Sequence, residues 1–91
     1  MTKTVRITVS GKVQGVYFRM YTQMKARELG VRGYVRNLPN GDVEIVATAE
    51  EAKLKQLVDW CHVGSPSAVV TNVAVEDIHP PETFRDFEIR Y

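Results

Sequence analysis

Val5-Arg6-Ile7-Thr8-Val9-Ser10-Gly11-Lys12-Val13-Gln14-Gly15-Val16-Tyr17-Phe18-Arg19 carries the chain from one kind of periodicity to another. Val5, Ile7 and Val9 alternate with Arg6 and Thr8, the pattern of a strand with one buried face. From about Phe18 to Leu29 helix formers take over, and Gly30 suits the left-handed residue that often ends a helix. Between strand and helix lies a short loop with a glycine, closed by Arg19. Such a loop points backbone N–H groups at one spot, and the helix dipole favours an anion there. A guanidinium beside it adds a planar fork that fits phosphate oxygens. The stretch reads as a phosphate cradle, without the glycine spacings of nucleotide sites.

Working outward, Tyr34-Val35-Arg36 reads as a second strand and Val43 to Ala47 as a third. Pro39-Asn40-Gly41-Asp42 between them predicts a tight hairpin. Thr48 with Glu51 three residues on predicts a capping box. Leu54, Leu57, Val58 and Cys61 then repeat at helical spacing, with Gly64 near the end. Val69, Thr71, Val73 and Val75 share one parity and predict a fourth strand. His79-Pro80-Pro81-Glu82 cannot lie within a sheet. Phe87, Ile89 and Tyr91 alternate with charged residues and predict a final edge strand. The order predicts an α+β fold of ferredoxin-like, split βαβ type: an antiparallel sheet with both helices on one face, one domain over residues 1–91. That topology hosts many unrelated activities.

Composition narrows the function. In 91 residues, Lys+Arg 12 against Asp+Glu 11 leaves a net charge of +1, which argues against a nucleic-acid binder working through bulk electrostatics. The paired aromatic pattern of RNA-recognition sheets is also absent. Cys61 is the only cysteine, so neither an internal disulfide nor a Cys-x-x-Cys metal or redox site exists. No signal peptide, membrane span or lipidation motif is visible, and the expected location is the cytoplasm.

Arg19 is the first candidate for chemistry, because its place at the strand-to-helix junction favours anion binding over a solvated helix face. Asn37, at the end of the second strand, reads equally as a turn residue or a functional amide. Lys12 and Arg36 read as solvated charges, His62 and His79 as surface histidines. Met20 and Met24, with Tyr21 and Leu29, read as the apolar stripe of the first helix, and Cys61 as a small core residue. No serine elbow or carboxylate pair is present.

Gly11 to Arg19, read as Gly-x-Val-Gln-Gly-Val-x-Phe-Arg, resembles the first signature of the acylphosphatases. Gly33-Tyr34-Val35-Arg36-Asn37-Leu38-Pro39-Asn40-Gly41-Asp42-Val43-Glu44 resembles the second, and Gly64-Ser65-Pro66 and the Phe87-to-Tyr91 ending are also similar. The resemblance implies the ferredoxin-like fold and hydrolysis of the carboxyl–phosphate bond of acyl phosphates, with no metal or cofactor. It implies that Gln14, Gly15, Val16, Tyr17, Phe18 and Arg19 hold the phosphoryl group and that Asn37 orients the attacking water. Inorganic phosphate is then a competitive product inhibitor, and the chain a monomer with no nucleic-acid or membrane partner. Tyr17 fills a slot that many bacterial relatives give to glycine. A left-handed backbone there strains a tyrosine and narrows the mouth of the site. The terminal carboxylate of Tyr91 is a further candidate partner for Arg19. The competing reading is a module that binds phosphate or carbamoyl phosphate without turning it over. The lack of a partner domain in the chain counts against it.

Overall fold

The computed structural model describes residues 2–91. Seven elements follow one another: β1 Thr2–Lys12, α1 Phe18–Leu29, β2 Arg32–Asn37, β3 Val43–Glu50, α2 Glu51–Cys61, β4 Val69–Ile78 and β5 Phe87–Arg90. They build one five-stranded sheet in the order β4-β1-β3-β2-β5. Val5, Ile7 and Val9 of β1 and Val43, Ile45 and Ala47 of β3 turn one face of the sheet into the floor of the core. Leu54, Leu57 and Cys61 of α2 close it from above, and the two helices meet where Phe18 packs on Trp60, ring centroids 5.5 Å apart. The α+β split βαβ arrangement is the one the periodicities predict.

The sheet is mixed rather than wholly antiparallel. β1 runs antiparallel to β3 and β4, and β2 antiparallel to β3, but β5 runs parallel to β2. The cause lies in residues 79–86. β4 finishes at the end of the sheet where β5 begins, so the connection crosses that end instead of turning back. It is tied down on the way: Thr48 Oγ1 donates to the Glu82 carbonyl (2.8 Å), and Glu82 N–H donates to Thr4 Oγ1 (2.8 Å). The two threonine hydroxyls lie 2.6 Å apart. Thr48 is therefore engaged as a strand residue, and no capping box forms; α2 starts after Glu50, with no side-chain cap.

Two other expectations change. The stripe that α1 buries is Phe18, Thr22 and Ala26, while Met20 and Met24 face outward. Residues at i, i+4 and i+8 share a helix face, and the small Thr22 and Ala26 let α1 approach the sheet closely. The Thr22 hydroxyl is satisfied locally by donating to the Phe18 carbonyl at 2.8 Å. In β4 the common parity breaks at a bulge. Ser10 opposes Asn72 and Gly11 opposes Val70, so Thr71 is the extra residue. Val70 and Val73 pack against the core, whereas Val69 and Val75 are exposed.

The other face of the sheet carries charge. The Glu44 carboxylate, only 7% exposed, accepts Arg36 Nε at 2.7 Å and lies 3.3 Å from Arg6 Nε. Arg6 Nη1 donates onward to Glu76 at 2.7 Å.

Candidate functional site

The loop between β1 and α1 is fixed by what it buries. Val13, Val16 and Phe18 send their side chains into the core. Gly64 leaves room for the Phe18 ring, since a Cβ there would lie 2.7 Å from it. With alternate side chains pinned inward, the backbone between them turns through left-handed conformations at Gly15 (φ 74°) and Tyr17 (φ 61°). Glycine accepts that conformation freely, but tyrosine pays for it. Tyr17 thus has the backbone angle at which strain was expected. Among the described residues, no backbone N–H from Gly15 to Met20 donates to a protein acceptor, and the first bond of the new turn is Tyr21 N–H to the Tyr17 carbonyl. Successive free N–H groups in a left-handed turn at a helix start form a concave anion-binding surface.

Arg19 sits on the first turn of α1, and its guanidinium reaches the end of β5. Nη1 donates to the Arg90 carbonyl at 3.4 Å, and Cζ stands 4.8 Å from the centre of the Tyr91 ring. The contact with Tyr91 is through the ring, not through the expected carboxylate. Among the described residues Arg19 has no acidic partner, so its charge is not neutralised within the protein.

Asn37 closes β2 and is half-buried. Its Oδ1 is shielded from solvent yet has no hydrogen-bond partner. Burying an unpaired amide oxygen costs stability, so such an atom points to a ligand or an ordered water. A cleft of about 490 Å³ unites Asn37 with Gly15, Tyr17, Phe18 and Arg19. The two halves named from the sequence therefore meet in space. Val13, Met20, Ile89 and Tyr91 complete the lining.

Gln14 and Val16 stand differently. Val16 is an anchor in the core. The Gln14 side chain points at the hairpin, where Nε2 donates to the carbonyls of Leu38 (2.8 Å) and Asp42 (2.9 Å). The hairpin closes itself through Leu38 N–H to the Asp42 carbonyl, 2.8 Å. One amide thus ties the loop to the residue next to Asn37. This brace escaped the sequence reading, because nothing in a glutamine names its partner. Met20 and Ile89 also escape it, and Tyr91 enters it only through its carboxylate, not its ring. The methionine reads as core, and Ile89 and Tyr91 reach the cleft only through the parallel placement of β5.

The remaining charged or nucleophilic groups lie elsewhere. Lys12 is exposed on β1, and Arg36 is ion-paired on the opposite face of the sheet. His62 and His79 are exposed. Cys61 is fully buried, and burial pushes its thiol up to about 12, so it is no nucleophile at neutral pH. Among the described residues no three His, Cys, Asp or Glu side chains cluster to hold a metal ion, and no helix is long and apolar enough to cross a membrane.

Comparison with known proteins bears on the same residues. The acylphosphatase family model matches residues 5–89. An acylphosphatase of Marinobacter nauticus is 56% identical over 81 residues, which cover 89% of this chain and 88% of that protein. Among solved structures, the acylphosphatase of Bacillus subtilis superposes with a TM-score of 0.94 at 38% identity, covering 100% of both chains. That of Coxiella burnetii superposes with a TM-score of 0.93 at 45% identity, covering 98% of this chain and 93% of the other.

Proposed function

This chain belongs to the acylphosphatase family, and from that premise we propose how its residues perform the reaction. It is a hydrolase that cleaves the carboxyl–phosphate bond of acyl phosphates, giving a carboxylate and inorganic phosphate. In our reading the free N–H groups of the Gly15-to-Arg19 loop and the Arg19 guanidinium hold the three phosphoryl oxygens. Gln14 and Val16 serve by shaping that loop. Asn37 accepts a hydrogen bond from the attacking water and aims it at phosphorus. The water oxygen forms the new P–O bond, the acyl oxygen leaves with its electron pair, and the water's proton passes to a phosphoryl oxygen. A carboxylate is a weak base and departs without a general acid. Phosphoryl transfer passes through a loose transition state, so positioning and charge stabilisation suffice.

The observation that carries this reading is the buried, unpartnered Oδ1 of Asn37, in the same cleft as Arg19 and the free amides. The same reading makes the enzyme a cytoplasmic monomer, inhibited competitively by its phosphate product. Phosphate release from benzoyl phosphate in the presence of a chelator tests it. Arg19→Ala should lower kcat/KM by about 10³-fold or more and abolish inhibition by phosphate. Asn37→Ala should lower kcat by about 10²-fold or more while phosphate still inhibits. Near-wild-type turnover by both variants would overturn the assignment. Phosphate binding by the wild type without turnover would favour a binding module instead.

A further inference from the structure

Among the described residues, Arg19 carries the only charged side chain lining the cleft; the other lining side chains are apolar or absent, save the Asn37 amide and the tyrosine hydroxyls. If the phosphoryl group sits in the loop with its water on Asn37, in-line displacement puts the leaving oxygen on the far side of phosphorus from Asn37. Asn37 Oδ1 is shielded from solvent, so the far side is the solvent-facing part of the cleft lining. That part is walled by Tyr17 and Met20, 74% and 43% exposed, and by Tyr91.

Tyr17 is the anomaly among these. It is the only non-glycine residue with positive φ among the described residues. Among the described residues its side chain makes no hydrogen bond and no aromatic or cation–π contact, and most of it faces solvent. Strain kept at a site without structural return points to what the site binds. We propose that Tyr17 and Met20 form the subsite for the acyl group. The enzyme then selects acyl phosphates with an aromatic or branched apolar acyl group over acetyl phosphate. This selection rests on the phosphoryl and water positions argued above.

The test compares kcat/KM for benzoyl and acetyl phosphate in the wild type, Tyr17→Phe, Tyr17→Ala, Tyr17→Gly and Met20→Ala. Taking the benzoyl-to-acetyl ratio relative to wild type cancels the intrinsic reactivity of the two compounds. The ratio should fall about tenfold in both Tyr17→Ala and Tyr17→Gly, fall less in Met20→Ala, and survive in Tyr17→Phe. A ratio within about twofold of wild type in both small variants would overturn the subsite. So would a fall confined to Tyr17→Gly, which would assign the effect to a loosened loop instead of the ring. Active Arg19→Ala and Asn37→Ala enzymes would instead sink the underlying mechanism, whatever the ratio does.

Discussion

At the scale of single residues, Tyr17 separates stability from function. A left-handed backbone costs an L-residue roughly 1–2 kcal/mol that glycine does not pay, and a freer unfolded chain takes part of that back. Its φ of 61° and exposed ring mean that nothing packs to offset the cost. Tyr17→Gly should therefore stabilise the fold by about 1 kcal/mol, read as a higher urea midpoint at unchanged slope. An unchanged or lower midpoint would mean that the ring supports the fold after all. The strain itself was foreseeable only through the family resemblance, in which this slot often holds glycine. That the ring stays unpartnered was not, since sequence gives no measure of side-chain contact. Arg19 stands out by its place at the strand-to-helix junction; Asn37, which reads equally as a turn residue or a functional amide, becomes a candidate through the family resemblance.

At the scale of elements, α1 is moored to the end of the chain by Asp86. Its carboxylate accepts the Phe87 N–H (2.7 Å) and Arg27 Nη2 (2.9 Å). Those bonds, the backbone one first, hold it below the usual carboxylate range. A carboxylate whose folded value is depressed adds stability above its unfolded value of about 3.9 and loses it as pH falls through the folded value. Asp86→Asn should thus lower the urea midpoint at pH 7, and the gap should close at an acid pH below the depressed folded value of Asp86. A gap of equal size at both pH values would remove the charge from the explanation. Element boundaries were read well where turn chemistry punctuated them, as at Gly30 and Asn40-Gly41. Faces were read less well. In α1 the large apolar residues Met20 and Met24 outweigh Thr22 on any hydropathy count, yet close packing selects the smaller side chain. In β4 the count of two fails at Thr71, because a bulge is invisible to alternation.

At the scale of the molecule, the site draws on three separate parts of the chain: the first loop, the tip of β2 and the end of β5. A ligand that bridges them binds only the assembled fold. Inorganic phosphate at about 100 times its dissociation constant should add about 2.7 kcal/mol of stability. For a domain of this size that raises Tm by about 10 °C or more. Calorimetry should show the shift in the wild type and not in Arg19→Ala; an equal shift in both would place phosphate elsewhere. The class of fold was legible from the order of elements, because antiparallel neighbours with short connections leave few alternatives. The direction of β5 was not, because it depends on where residues 79–86 cross the sheet, and no local pattern encodes a crossing.

That crossing has a kinetic signature. Thr4, Thr48 and Glu82 form a closed circuit in which each donor meets an acceptor, and Thr4 is 1% exposed. Amide protons in proline-bounded loops ordinarily trade with solvent quickly, while those that open only with the core trade slowly. The Glu82 amide should therefore exchange deuterium as slowly as the amides of β1 and β3, and Thr4→Val should release it. Fast exchange in the wild type would show that the strap opens independently of the sheet. If the amide is slow, the proline segment shares one clock with the core. The last strand, with Ile89 at the wall of the cleft, is then held in place for as long as the sheet itself lasts.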